Sequence, residues 1–388
     1  MNPNSFRSSE AGRVVKTRTG YRAFVPSPLP PRLGWTSGLA QALASANEAL
    51  AKLAVTSTAN VNLRAIVRPL IHQEAVMSSR IEGTVATLDE VYAYEALGSP
   101  PSAEDSARKE VYNYVRALDY GLERLASLPL SLRMIRELHQ LLMEGVRGEN
   151  MTPGEFRRTQ NWIGPPGSTV ATARYVPPPV DEMQVALNEL ERFIHEESDL
   201  PKLVRAGLIH YQFEAIHPFL DGNGRIGRLL VVLLLVAWEI LPQPSIYLSA
   251  FIEARRQEYY DRLLAVSQNG EWEEWLIFFL EGLRQQAIAA SERLRVLVLL
   301  RSNYVGKLEG ERMAKQLVNV VDLLFEQPIL SVRQMESKLG VAFTTAQRYI
   351  ERLEELSIVT EITGHTRNRL YRANQIIDLL TDAPYQAL

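Results

Sequence analysis

The twelve residues from His217 to Arg228, HPFLDGNGRIGR, combine a titratable imidazole, a carboxylate, three glycines and two arginines. Successive amides in a glycine-rich turn can form an anion site, and arginine forks match phosphate oxygens. Asp221 offers a hard oxygen ligand for Mg²⁺ beside such phosphates. His217 has an ordinary pKa of about 6.5, so it can accept a proton from a hydroxyl. The composition therefore predicts a polyphosphate site with a general base beside it.

Helices on both sides must position this 217–228 segment. Pro218 disfavours the right-handed helical conformation at His217, so we expect the preceding helix to end there. Gly222 and Gly224 can adopt positive φ. A long apolar helix after Arg225 is expected to turn its free N–H groups and positive dipole end towards the same anion site. The apolar positions that predict the preceding helix are Val204, Leu208, Tyr211 and Ala215.

Each part of the segment also has a structural explanation on its own. A His-Pro pair can simply end a helix, and Gly-x-Gly can form a tight turn. The Asp221-x-Asn223-Gly224 order is similar to the start of an EF-hand loop, but the remaining oxygen ligands and the closing Glu are missing. The joint pattern between two helices favours the phosphate site.

The segment resembles the signature of the Fic (filamentation induced by cAMP) family, HxFxDGNGRxGR, without departure at its defining positions. GEFR at 154–157, QNWIG at 160–164 and YVPP at 175–178 look like the flap of that family, and the resemblance covers about residues 20 to 290. The segment from 157 to 179 is rich in Gly, Pro and Thr and lacks helical periodicity, as expected of a functional loop. The fold implied is mainly α: a Fic-type helical bundle with a β-hairpin flap.

The resemblance implies a nucleotidyltransferase, a protein adenylyltransferase that moves AMP from ATP to a Ser, Thr or Tyr hydroxyl of a target protein. His217 would be the general base and Asp221 the ligand of Mg²⁺. Ile163 and Gly164 in the flap would dock the target segment as an added strand.

The same resemblance assigns nucleotide contacts. Arg225 would face the departing pyrophosphate and Arg228 the γ-phosphate. Tyr259 and Tyr260 would line the adenine pocket, although both could equally be aromatic core or interface residues. The implied nucleotide-binding set is Gly222, Asn223, Gly224, Arg225, Gly227, Arg228, Tyr259 and Tyr260.

A second motif lies upstream. Ser78-Ser-Arg-Ile-Glu82-Gly83 matches the inhibitory-helix pattern of the family, Ser/Thr-x-x-x-Glu-Gly/Asn. Ser and Glu four residues apart are common in helices, but beside the 217–228 segment the pattern predicts that Glu82 pairs with Arg228 and blocks the γ-phosphate. In some relatives this glutamate also supports removal of AMP, so the resemblance allows de-AMPylation at the same site.

The C-terminal region, from about Glu311 to Ala373, has the order of helical stripes followed by an alternating hairpin, and we predict a winged helix-turn-helix. DNA contacts would come from the third helix and the wing. From Met313 to Arg372 there are eight Lys or Arg against seven Asp or Glu, a net of +1. A strong DNA binder normally has a basic face, so the charge favours a protein-interaction or dimerisation module and leaves DNA binding open. The candidate DNA contacts are Gln347, Arg348, Arg352, Arg367 and Arg369.

Bulk properties bound the protein class. The chain has 388 residues, a net charge of −3 and no cysteine. The absence of cysteine excludes disulfides and thiolate metal sites. The net charge gives no overall attraction to nucleic acid or anionic membranes. The first twelve residues lack the apolar core of a signal peptide, and the longest apolar run, Leu229 to Trp238, is too short to span a bilayer. We expect a cytoplasmic protein that makes no membrane contact, and the resemblance allows a homodimer.

Three regions are predicted: an N-terminal helical region with the inhibitory helix (1–109), a Fic catalytic domain (110–300) and a winged helix-turn-helix domain (311–388). Two functions remain open. One is a self-inhibited adenylyltransferase, and the other is a nucleotide-sensing, DNA-binding transcriptional regulator. His217 favours the enzyme, because a pure sensor needs no base. Within enzymes, phosphotransfer is a known variation of the family, but the unaltered signature favours ATP and AMP transfer.

Overall fold

The computed structural model describes residues 1–17, 19–57, 63–98 and 106–381. It is mainly helical, with small sheets. The first part contains, after a short 3-10 turn (Pro3–Ser5), β1 (Gly12–Lys16), β2 (Arg22–Pro26), α1 (Ser37–Thr56), α2 (Leu63–Ile81), α3 (Leu88–Leu97), α4 (Ser106–Leu125), α5 (Leu132–Leu142) and α6 (Val180–His195). The second part contains α7 (Lys202–Ile216), α8 (Asn223–Ala237), α9 (Leu248–Ala254), α10 (Arg256–Asn269), α11 (Trp272–Lys307), α12 (Ala314–Glu326), β3 (Ile329–Ser331), α13 (Val332–Leu339), α14 (Phe343–Glu355), β4 (Thr360–Glu361), β5 (Leu370–Arg372) and α15 (Asn374–Thr381).

Two helices in the centre of the bundle, α7 and α8, carry the 217–228 segment between them. Of the fifteen residues in each helix, thirteen are buried in α7 and twelve in α8. A helix that is apolar on all sides must be surrounded by other elements, as α8 is by α2, α4, α5 and α7. The indole Nε1 of Trp275 in α11 donates to Gly207 O of α7 at 3.0 Å. The 217–228 segment therefore lies between two largely buried helices.

The flap, residues 157–179, differs from the hairpin expected from the sequence. Its two sides meet in a single antiparallel bridge, Ile163 to Tyr175, and not in paired strands. Its prolines, which lack an N–H, limit further pairing. The base of the flap is fixed to the bundle because the Tyr175 hydroxyl donates to Ala215 O of α7 at 2.8 Å. The distal part of the flap is exposed, as are Arg158 and Thr159 near its base.

An N-terminal hairpin, which the sequence analysis did not anticipate, supports the flap. β1 and β2 pair antiparallel, with Gly12 opposite Pro26 and Lys16 opposite Arg22. Phe24 N of β2 donates to Val176 O of the flap at 2.9 Å. The hairpin therefore adds to the support of the flap, and its second strand also contacts α7.

The C-terminal unit, residues 314–381, contains α12 to α15 and a three-stranded antiparallel sheet in the order β3-β5-β4. α13 begins with a capping box, in which Ser331 and Gln334 satisfy each other's backbone N–H groups. The unit packs against α2, α3 and α11. It therefore lies against the helix that leads to Glu82.

The described part of the chain contains no helix with both the length and the apolar character needed to cross a membrane.

Candidate active site

His217 follows the last residue of α7 and has a left-handed backbone, with φ 49° and ψ 63°. Its side chain is half-buried. Nδ1 lies 3.3 Å from Glu214 O, and because a carbonyl can only accept, Nδ1 carries the proton and Nε2 keeps its lone pair. Burial, with the nearby charge of Arg157, lowers the pKa of His217 to about 4. The ring is therefore neutral near pH 7 and able to accept a proton at Nε2.

The turn after His217 is closed by a side chain of the same segment. Asn223 Oδ1 accepts from Phe219 N at 2.8 Å, and Asn223 Nδ2 donates to Phe219 O at 2.8 Å. The Asn223 side chain is thus used to hold the turn, which leaves its backbone N–H for any bound anion.

α8 begins at Asn223, three residues earlier than the sequence analysis expected. Gly222 takes the N-cap position with φ 77°, whereas Gly224 lies inside the helix, so of the two glycines that can adopt positive φ only Gly222 does so. The N-cap makes no side-chain hydrogen bond to the first turn. The first N–H groups of the helix have no partner within the helix, and they form the positive end of its dipole. This is the geometry of a phosphate site.

Gly224 and Gly227 are required by close approaches. A Cβ at Gly224 would lie 2.3 Å from Glu82 Oε1 and 2.8 Å from an Arg228 Nη1 atom. A Cβ at Gly227 would lie 2.3 Å from Glu214 Oε1. Each glycine therefore makes room for a carboxylate beside α8.

Asp221 is half-buried at the entrance to α8. Its Oδ1 accepts from Gly222 N at 2.7 Å. Its backbone oxygen accepts from His139 Nε2 at 3.0 Å, while His139 Nδ1 accepts from Gly154 N at 2.9 Å. Among the described residues no group of three or more His, Cys, Asp or Glu forms a metal cage. A single carboxylate beside a phosphate site nevertheless suits Mg²⁺, which is typically held by one or two carboxylates together with substrate phosphates.

Arg228 is buried and bonds to the end of α2. Its Nε donates to Ser78 Oγ at 2.9 Å, and its Nη2 donates to Ser78 O at 2.9 Å and to Glu82 Oε1 at 2.7 Å. Burial opposes the ionisation of Glu82, but the charges of Arg228 and Arg225 outweigh it, so the pKa of Glu82 lies below its ordinary value. The chain turns away immediately afterwards at Gly83, which has φ 88°.

Arg225 has a different environment from the one predicted. Its Nη1 donates to Glu110 Oε2 of α4 at 3.3 Å, in the buried core. The same carboxylate oxygen accepts from Thr84 Oγ1 at 2.6 Å. Both arginines of the 217–228 segment are therefore connected to residues 78–84, Arg228 directly and Arg225 through Glu110. No sequence signal marked Thr84 or Glu110.

The two tyrosines differ in exposure. Tyr259 is buried, and its hydroxyl donates to His210 Nε2 at 2.8 Å, while His210 Nδ1 donates to Gly227 O at 3.1 Å. Tyr259 thus acts as a core residue that supports the α8 backbone, the alternative that the sequence left open. Tyr260 is 37% exposed and can present its ring to a ligand. Both predicted docking residues lie in the flap, with Ile163 at its bridge and Gly164 next to it.

His139, which the sequence analysis did not single out, lies beside the site. It stacks on Phe219, with ring centroids 3.7 Å apart and an interplanar angle of 3°. Burial lowers its pKa to about 4, which keeps it neutral as its two hydrogen bonds require. It positions the Asp221 backbone and not a ligand.

Together, the fold and this site define a helical protein in which a neutral histidine stands beside a helix N-terminus suited to phosphate. Residues 129–235 match the Fic/DOC family, and residues 40–123 match the Fic/DOC family N-terminal domain. The chain belongs to the Fic family.

The chain is similar in sequence to two curated relatives and in fold to two solved structures. It is 27% identical over 236 residues to the protein adenylyltransferase Fic of Drosophila grimshawi, covering 59% of this chain and 44% of that protein. It is 29% identical over 201 residues to that of Drosophila willistoni, covering 50% and 38%. The chain thus spans about two-fifths of the length of these relatives.

The structural neighbours share the fold. A Fic family protein from Desulfovibrio desulfuricans G20 superposes with a TM-score of 0.56 and 21% identity, over 89% of this chain and 98% of that chain. A Fic domain containing signaling protein from Bacteroides thetaiotaomicron VPI-5482 gives a TM-score of 0.52 and 18% identity, over 64% and 95%.

Proposed function

We propose that this protein is a protein adenylyltransferase that moves AMP from ATP to a Ser, Thr or Tyr hydroxyl of a target protein. The observation that carries the proposal is the neutral His217, with a free Nε2, beside the uncapped N-terminus of α8. The relatives named as protein adenylyltransferases support the choice of AMP as the transferred group.

The reaction follows from this arrangement. The target hydroxyl oxygen forms a bond to the α-phosphorus of ATP, and its proton passes to His217 Nε2. The bond from the α-phosphorus to the bridging oxygen breaks, and pyrophosphate leaves. The first amides of α8 stabilise the phosphate charge. Asp221 is the residue that would hold Mg²⁺, which when bound neutralises phosphate charge.

Glu82 is proposed to inhibit this reaction. Its carboxylate occupies an Arg228 Nη2 atom at 2.7 Å, and Ser78 occupies the Nε atom. With Nε and Nη2 already donating to Ser78 and Glu82, Arg228 would not offer this pair of donors to a γ-phosphate. ATP would then bind in an unproductive pose. When Glu82 moves away, the same carboxylate could assist the reverse step, removal of AMP.

The experiment uses the full chain with Mg²⁺, target-containing lysate and ATP labelled on either the α- or the γ-phosphorus. We expect the Glu82→Gly variant to label itself or a target from α-labelled ATP, and the Glu82→Gly, His217→Ala double variant to label nothing. Label transferred from γ-labelled ATP instead would show phosphoryl transfer and overturn the proposal. Label that persists without His217 would remove its role as the base.

The rival function is a nucleotide-sensing transcriptional regulator that binds DNA through a C-terminal winged helix. The order of elements in the C-terminal unit suits that fold, and Arg348, Arg367 and Arg369 are exposed. Arg352 on α14, however, is paired with Glu311 and Glu355, so part of the basic charge expected to face DNA is neutralised. This pairing favours the protein-interaction alternative for the unit.

A further inference from the structure

Arg157, at the start of the flap, is a buried cation whose hydrogen bonds all go to backbone oxygens. It is 1% exposed. Within the described parts of the chain, no carboxylate forms an ion pair with it. Its acceptors are His217 O at 3.0 Å from Nε, Thr159 O at 3.3 Å from Nη1, and Pro178 O at 2.5 Å and Ile216 O at 3.5 Å from Nη2.

These oxygens belong to three places that the site must hold together. Ile216 O and His217 O lie at the end of α7, where carbonyls lack helical partners and the helix dipole is negative. Thr159 and Pro178 lie near the two ends of the flap. A buried guanidinium at this junction donates hydrogen bonds to carbonyls from all three places. A neutral side chain with fewer donors cannot do this.

The backbone at His217 needs such support. A left-handed conformation at a residue other than glycine is unfavourable and persists only where surrounding contacts enforce it. Asn161 Nδ2 also donates to His217 O, at 3.1 Å, and to Phe219 O, at 2.8 Å. The Arg157 backbone N donates to Pro218 O at 2.8 Å. The base of the flap thus donates hydrogen bonds to the backbone oxygens of residues 217, 218 and 219.

We propose that Arg157 is a positioning residue for His217: it fixes the left-handed backbone that aims the imidazole, and it ties the base to the flap that would hold the target. This inference rests on the proposed function of His217 as the base. A flap that is fixed to the backbone of the base by Arg157 and Asn161 would deliver the target hydroxyl at a set distance from Nε2.

The charge of Arg157 has a second effect on the same ring. Burial is the largest cause of the low pKa of His217, and Arg157 adds to it. The Glu214 carbonyl, Glu82 and Asp221 act in the opposite direction. Removal of the Arg157 charge should therefore raise the pKa of His217, whereas a substitution that keeps the charge and leaves the ring buried should not.

The test follows the imidazole directly. The Hε1 proton of His217 is titrated by NMR in the wild type, Arg157→Gln and Arg157→Lys, and its resonance is assigned by its loss in His217→Ala. We expect the midpoint to rise by about one pH unit in Arg157→Gln, since a neighbouring charge is removed. In Arg157→Lys, which keeps the charge, the midpoint should stay near that of the wild type. The control is Arg158→Gln, because Arg158 is exposed and pairs with Glu155, and it should leave the midpoint unchanged.

Kinetics in the Glu82→Gly background separate positioning from binding. Both Arg157 variants should lower kcat for AMP transfer at least ten-fold relative to the Arg158→Gln control, a change of about 1.4 kcal/mol or more in the chemical step. The KM for ATP should stay within about two-fold of that control. An unshifted midpoint in folded Arg157→Gln, or an unchanged kcat in both variants, would overturn the inference. If Arg157→Gln does not fold, an unchanged kcat in Arg157→Lys is sufficient to overturn it. The NMR arm needs no AMP transfer, so it separates failure of this inference from failure of the proposed function.

Discussion

Arg228 is the residue at which the proposed nucleotide binding and the proposed inhibition would meet. Its guanidinium is buried and donates three hydrogen bonds to Ser78 and Glu82. A buried ion pair is strong when its remaining donors are also satisfied, and here Ser78 satisfies two of them. We therefore expect Ser78 to contribute to inhibition by holding the Arg228 side chain in place.

Substitution of Ser78 tests this part. In Ser78→Ala the Arg228 Nε loses its acceptor in a buried site, a loss of about 1 kcal/mol or more. We expect AMP transfer to rise about five-fold, less than in Glu82→Gly. Ser79→Ala is a matched control, because Ser79 is equally buried and its Oγ has no hydrogen-bond partner among the described residues. Equal labelling by the two alanine variants would mean that Ser78 does not contribute to inhibition.

The protonation of His217 predicts the pH dependence of transfer. Burial and Arg157 lower its pKa to about 4, so the free base is present above that value and is lost as the pH falls through it. Glu82 opposes this lowering, and its removal should depress the pKa further. We expect kcat of Glu82→Gly to be flat between about pH 6 and 8 with respect to this group. An acid limb with a midpoint near 6.5 would show that the ring titrates as if it were solvent-exposed.

At the scale of the elements, the sequence predicted the two helices that flank the site, but it misplaced the start of the second one. The mainly helical fold and the family are confirmed, because periodic apolar stripes and a dense motif are local signals. The start of α8 was placed after Arg225, whereas Gly222 is the N-cap and the helix begins at Asn223. A glycine permits that conformation but does not require it.

Contacts between distant segments could not be predicted from periodicity. Arg225 and Glu110 are 115 residues apart, and Arg157 and His217 are 60 apart. The N-terminal hairpin was missed because its first strand is only partly buried and lacks an alternating pattern. In contrast, the Glu82 to Arg228 contact was anticipated, since two family motifs were present in one chain. Its inhibitory role stays a prediction.

At the scale of the whole molecule, the C-terminal unit is bonded to both helices that flank Glu82. Gln73 in the middle of α2 accepts from Arg293 Nη1 of α11 at 2.6 Å and donates to Leu380 O of α15 at 3.0 Å. In α3, Asp89 accepts from Arg372 Nε at 2.6 Å. The unit therefore holds the ends of the segment that carries Glu82, and its placement should influence how often Glu82 leaves Arg228.

This coupling predicts the effect of a substitution far from the site. Gln73→Ala should weaken the hold on α2 and raise AMP transfer about five-fold, as expected for a loss of about 1 kcal/mol. Hydrogen exchange of the amides at 78–84 should accelerate in parallel. In the Glu82→Gly background the same substitution should have no effect on transfer, because no inhibitory contact remains. Gln184→Ala, on the exposed face of α6, is the control. An equal increase in both backgrounds would exclude coupling through Glu82.

The initial rate of AMP transfer by the wild type and by Glu82→Gly, measured across a range of ATP concentrations, tests the central claim most directly. The claim is that a carboxylate bound to Arg228 restrains a site that is otherwise complete. The account predicts that Glu82→Gly is at least ten-fold faster at every ATP concentration, a difference of about 1.4 kcal/mol or more, and that adding His217→Ala abolishes the rate. Equal rates for the wild type and Glu82→Gly across the whole range would contradict it.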